Sequence, residues 1–160
     1  MENILVPYHS SSLSKLVFKQ ALVLASKWKL KLILLCVIGP DISTSGMSAT
    51  STKRTLDKYD EKAKILLNKL KNIYGEKSVK LDVATIRDPS ASSGIIRFAN
   101  ENDVDLIIIG SHGRSGLKRI ILGSVAAKVI KDANCPVMII KKSKNTLKKS
   151  KSHSKTKPLQ

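Results

Sequence analysis

The chain alternates short, unbroken apolar runs with longer stretches whose apolar residues return every three or four positions. Ile4, Leu5 and Val6 form the first run, and Pro7 ends it. Leu13, Leu16, Val17, Ala21, Leu24, Ala25 and Trp28 follow at the spacing of an amphipathic helix, capped by one of Ser10, Ser11 or Ser12. The run 32–38 is too short for an independent helix and lies between Lys31 and Gly39-Pro40. It reads as a strand buried on both faces, as parallel sheets require. Ser, Thr, Gly and Pro dominate 39–55 and predict a long loop. Leu56, Tyr59, Ala63, Leu66, Leu67, Leu70, Ile73 and Tyr74 then restore helical spacing, with Gly75 expected just past the helix end.

Val79, Leu81 and Val83 alternate with Lys80 and Asp82, which predicts a strand with one open face at a sheet edge. Residues 87–90 turn, and one of Ser90, Ser92 or Ser93 caps a helix carrying Ile95, Ile96, Phe98 and Ala99, closed by Asn102-Asp103. The run 104–109 is a further buried strand, 125–130 a helix and 136–140 a last strand. The order βαβαβαβαβ predicts an α/β fold: one doubly wound, five-stranded parallel sheet with helices on both faces. Ligands of such sheets bind at the carboxyl ends of strands where strand order reverses. With the first and fourth strands adjacent, residues 7–11 would face the loop after the fourth.

That loop is Gly110-Ser111-His112-Gly113-Arg114-Ser115-Gly116, followed by Gly123-Ser124 at the head of a helix. Its glycines can take positive φ and admit close backbone approach, and successive amide N–H groups make a concavity for an anion. A helix start at Gly123 or Ser124 favours phosphate through its orphan N–H groups and dipole. Arg114 and Lys118 add charge. The stretch reads as a phosphate cradle, although neither Gly-x-x-x-x-Gly-Lys nor Gly-x-Gly-x-x-Gly is present.

Composition narrows the classes. At 160 residues and 42% apolar, one domain with a real core is expected, built from aliphatic side chains because aromatics make up 4%. No apolar run approaches the ~20 residues of a membrane helix, and 1–6 lack a signal-peptide pattern. A cytoplasmic protein without membrane contact is expected. Cys36 and Cys135 stand in or beside strand-like runs, with no zinc-type spacing, and are read as reduced and buried. Of the formal charge of +17, +8 comes from lysines in 141–160. The folded domain is placed at 1–142, and 143–160 is expected to be a disordered lysine-rich tail. Such a tail either is simply solvated or contacts nucleic acid or another polyanion by counterion release. His9 and His112 lack companions in sequence for a protein metal site. Ser111 beside His112 lacks the Gly-x-Ser-x-Gly elbow of a nucleophile.

The spacing Gly110-x2-Gly113-x9-Gly123-Ser124 resembles the nucleotide-binding signature of the universal stress protein (UspA-like) family. Ile4-Leu5-Val6-Pro7, Asp88-Pro89 and Asn134-Cys135-Pro136-Val137 resemble the family's opening strand, a turn before the third helix and the lead into the last strand. The resemblance implies strand order 3-2-1-4-5 in an adenine nucleotide alpha hydrolase-like fold. It also implies a homodimer paired through the last strand and, in the subgroup with this signature, bound ATP with Mg or Mn on its phosphates. Carried over by position, Gly110, Ser111, His112, Gly113, Arg114, Ser115 and Gly116 would wrap ribose and phosphates. Gly123, Ser124, Val125 and Ala126 would hold phosphate. Pro7, Tyr8 and His9 would border ribose and adenine, Val37 would offer backbone groups to adenine, and Ile109 would end the strand beneath. One position departs: His9 stands where the family usually has a nucleoside-contacting aspartate. A neutral imidazole offers one acceptor where a carboxylate offers several, so an affinity about tenfold lower is expected from the loss of one hydrogen bond. The expected role is that of a regulator in stress response rather than an enzyme, with ATP hydrolysis at most slow. A nucleotide-free dimeric scaffold and a polyanion-associated protein are the rival readings.

Overall fold

Consecutive apolar residues in a strand need cover on both sides, and the chain supplies it with two helical layers. The computed structural model describes residues 1–40, 44–75, 79–112 and 122–142. Along them run β1 (Asn3–Pro7), α1 (Ser12–Trp28), β2 (Lys31–Ile38), α2 (Ala49–Tyr74) and β3 (Lys80–Arg87). They are followed by α3 (Ala91–Glu101), β4 (Leu106–Gly110), α4 (Ser124–Asp132) and β5 (Val137–Ile140). The strands form one sheet in the order β3-β2-β1-β4-β5, every pair parallel. The expected fold and strand order are both found.

Side-chain alternation divides the core in two. Ile4, Val6, Leu32, Leu34, Leu106 and Ile108 point into one cluster, with Val17 and Phe18 of α1 and Leu67 of α2. Their neighbours Leu5, Ile33, Leu35, Ile107 and Ile109 point into the other, with Ile95 of α3 and Val129 of α4. Each fully buried aliphatic side chain contributes roughly 1.5–3 kcal/mol relative to exposure. Phe18 joins Tyr8 and Tyr74 by edge-on ring contacts, with centroids 6.0 and 5.3 Å apart.

Several local expectations shift. α2 begins at Ala49, because Ser48 caps it by accepting the Ser51 N–H, so residues 49–55 of the loop expected over 39–55 belong to a helix. Gly75 caps that helix with φ −75°, not in the left-handed region. Its missing side chain matters through space, since a Cβ would stand 2.6 Å from the Lys71 carbonyl oxygen. Trp28 keeps its helical spacing but is 64% exposed, because it lies at the end of α1 beyond the last core contact at Ala25. The strand expected over 104–109 is 106–110; Asp105 instead anchors the chain, its Oδ2 accepting the N–H groups of Glu2 and Asn3 at 2.7 and 2.9 Å. Cys36 and Cys135 are half-buried thiols outside any disulfide, and burial pushes the Cys135 thiol up. Of the described helices, none is long and apolar enough to cross a membrane. The tail expected at 143–160 lies outside the described residues.

Leu67 is the one side chain of α2 that is fully covered. Leu67→Ala is expected to destabilise the fold by about 2–5 kcal/mol through lost contact and residual cavity, measurable by urea unfolding. The N–H groups of Asn3 and Glu2 hold the Asp105 carboxyl below the usual carboxylate range. Its contribution is therefore complete above the unfolded pKa of about 4 and is lost as pH falls through the lower folded value. Asp105→Asn, which keeps an acceptor but does not titrate, should flatten the stability loss between about pH 5 and pH 2. An unchanged acid limb would show that other carboxylates set it.

Candidate functional site

The turn after β1 is fixed by short-range bonds. Tyr8 extends the β1–β2 ladder by donating its N–H to the Leu35 carbonyl at 2.8 Å. The His9 N–H goes to Ser14 Oγ at 3.0 Å, and the His9 carbonyl accepts the Ser11 N–H. Ser11 is the cap of α1, receiving the Ser14 N–H at 3.1 Å. Burial raises the Tyr8 phenol above its ordinary pKa, with Tyr74 adding to the effect.

On the other side of the strand reversal, β4 ends at Gly110, against which Leu13 packs so closely that a Cβ would lie 2.8 Å from its Cδ2. Ser111 then ties three elements together. Its N–H reaches the Ile140 carbonyl at 2.9 Å, its carbonyl accepts the Gly123 N–H at 2.8 Å, and its hydroxyl lies 3.1 Å from His112 Nδ1. Gly123 begins α4 with φ −64° and ψ 151° and no capping side chain. The helices α1, α2 and α3 are all serine-capped, by Ser11, Ser48 and Ser90. The first N–H groups of α4 are thus left open by the side chain at its cap. Neither Gly110 nor Gly123 uses the positive φ expected of the cradle; what Gly110 contributes is the absence of a Cβ.

These two walls enclose a cavity of about 430 Å3 at the carboxyl ends of β1 and β4. Pro7, Tyr8 and His9 line it from β1, and Val37 from β2. Ile109, Gly110 and His112 line it from β4 and the residues after it, and Gly123, Ser124, Val125 and Ala126 from the head of α4. Among the described candidates, Ser111 stays outside the lining and serves the wall instead. Gly113, Arg114, Ser115 and Gly116 lie outside the described residues. His9 and His112 do share the cavity, but no group of three or more His, Cys, Asp or Glu among the described residues is placed to hold a metal ion.

The cavity also has a wall that the glycine pattern did not indicate. Gly39, Pro40, Asp88 and Pro89 close it beyond β2 and β3. Asp88 Oδ1 accepts the Ser90 N–H at 2.9 Å, and Oδ2 meets Arg97 at 3.1 Å. The Ser90 N–H first, then Arg97, hold this carboxyl below its ordinary range. Gly39 is required here, since any side chain would collide with the Asp88 carbonyl. The signal was present in the pairing of Gly39-Pro40 and Asp88-Pro89, turns that end two neighbouring parallel strands on the same rim.

The comparisons with known proteins agree with this architecture. Residues 1–141 match the model of the Universal stress protein family. Universal stress protein MJ0531 of Methanocaldococcus jannaschii is 32% identical over 145 residues, 89% of this chain and 84% of that protein. The solved structure of MJ0577 superposes with a TM-score of 0.73 at 30% identity, covering 89% of this chain and 96% of the other. A universal stress protein family member from Arabidopsis thaliana, solved with AMP bound, gives 0.65 at 21% identity over 91% and 95% of the two chains. Family structures with dAMP, from Archaeoglobus fulgidus, and with cAMP give 0.61 and 0.65; these three are likenesses of fold. The five-stranded order, the family match over 1–141 and the relative at 32% identity lead to one assignment: the chain belongs to the universal stress protein family.

Proposed function

We propose that this protein is a regulator that binds ATP or a related adenine nucleotide in the cavity between β1 and β4, with the phosphates at the head of α4. The observation that carries this reading is the uncapped start of α4 on the cavity wall, where Ser124, Val125 and Ala126 follow Gly123. An anion there takes the place of the missing cap. Adenine nucleotides in structures of like fold support the ligand class. Val37 and the Pro7–His9 turn take the adenosine end, and Gly113 to Gly116 complete the phosphate loop. The metal, Mg or Mn, rides on the phosphates.

The protein works as a cytoplasmic homodimer in stress response rather than as an enzyme, any hydrolysis of ATP being slow. β5 supports the dimer, because it is an edge strand and its Met138 is partly exposed. The Ser111–Ile140 hydrogen bond joins that edge directly to the phosphate loop. Nucleotide bound on one side of Ser111 therefore bears on the surface presented on the other.

Gly123→Asp separates this reading from a nucleotide-free scaffold. Gly123 has φ and ψ that any residue adopts, so an aspartate cap should stabilise α4 while repelling phosphate. Calorimetric titration should show ATP affinity reduced by tenfold or more, with the melting temperature of the nucleotide-free protein unchanged or raised. Undiminished ATP binding would remove α4 from the site, and absence of binding by the unaltered protein would favour the scaffold. Conversely, His9→Asp should raise ATP affinity about tenfold by restoring a carboxylate acceptor. Equal affinities would show that the nucleoside does not reach the β1 turn.

A further inference from the structure

A second cavity, about 330 Å3, lies on the other side of the strand ends, between the tip of β2 and α2. Its cause is a local shortage of side-chain volume. The inward face of α2 carries Tyr59, Ala63, Leu66, Leu67 and Leu70; Leu67 is sealed against the sheet, but one turn earlier Ala63 offers only a methyl group. Ion pairs link the helix to β3 at both ends of the gap. Arg87 meets Asp57 at 2.6 Å at one end, and Lys71 meets Asp82 at 3.1 Å at the other.

The lining is divided by chemistry. Leu66, Leu67, Ile38 and Ala63 make an apolar floor, whereas Tyr59 and Lys62 stand on the α2 rim. Of the acids near Lys62 on its helix, Asp60 pairs with Lys64 at 2.9 Å and lies 3.8 Å from Arg87, Asp57 binds Arg87, and Glu61, the neighbour in sequence, makes no ion pair with Lys62. Among the described residues Lys62 makes no ion pair with a carboxylate. A cavity with an apolar floor and one uncompensated cation at its rim suits a small amphipathic anion. We infer that this cavity is a binding site for a small organic acid with an aromatic or branched apolar body, its carboxylate on Lys62 and its body against Ala63 and Leu66. This site adjoins the nucleotide cavity and does not depend on it for its ligand class. Tyr8, His9, Val37 and Gly39 border both cavities, so an occupant of one abuts the wall of the other.

Benzoate is a suitable probe, with benzyl alcohol as its uncharged counterpart, in amide chemical-shift titrations of the full chain. Benzoate should shift Cys36, Ile38, Tyr59 and Ala63 saturably and more than Ser124 to Ala126, and benzyl alcohol should bind more weakly. Lys62→Met keeps the length of an exposed side chain and removes the charge. It should weaken benzoate by about tenfold or more, the worth of a charge-assisted hydrogen bond, and leave benzyl alcohol unchanged. Ala63→Leu should exclude both by filling the space. Three results would each overturn the proposal: no shifts around Cys36 and Tyr59, shifts centred on Ser124 to Ala126, or equal benzoate affinity with and without Lys62. ATP binding has its own readout at Ser124 to Ala126, so either site can fail without the other.

Discussion

Everything in this molecule depends on strands that are apolar on both faces. A sheet whose central strands send alternate residues into two separate cores must be roofed on both sides, and α1 and α2 on one face and α3 and α4 on the other do this. The consequence is directional. Helical cover cannot extend over the carboxyl ends of the strands, where each connection departs. At the reversal between β1 and β4, one connection leads to α1 on one face and the other to α4 on the opposite face. The crevice between them is therefore produced by the same constraint that makes the core.

Much of this was legible in the residues. The unbroken runs at 4–6 and 32–38 read as buried strands from their short length and their flanking residues, and the stripe of α1 reads as a helix from its 3.6-residue period. The edge position of β3 followed from Lys80 and Asp82 alternating with Leu81 and Val83. What failed to show was set by long-range geometry. Ser48 competes with several other serines and threonines for the start of α2, and only its hydrogen bond to Ser51 decides. Trp28 has the right spacing and the wrong position, one turn past the end of the packed face.

The site was legible along the glycine pattern and not across the sheet. Gly110, Gly123 and the Pro7–His9 turn lie on connections whose meeting follows from adjacent strands. Asp88 and Gly39 face that cavity only because β2 and β3 end in register, with Ile38 beside Arg87. The glycines also act differently from the usual expectation of turn residues. At Gly110 and Gly39 the decisive quantity is clearance, from Leu13 in one case and the Asp88 backbone in the other.

The charged edge of the sheet has a further consequence for how the chain behaves in a crowded solution. Among the described residues, β3 leaves one side of an eight-residue strand without a strand partner, which is a template for pairing with foreign chains. Asp82 is clasped between Lys31 and Lys71, at 2.9 and 3.1 Å, and Arg87 is held by Asp57 at the far end. An incoming strand would have to lie beside these ionic groups and deprive them of water, a cost that their pairing offsets only in part. Each exposed pair adds little to folding, but as a set they act as gatekeepers against β-aggregation along the longest open margin of the sheet.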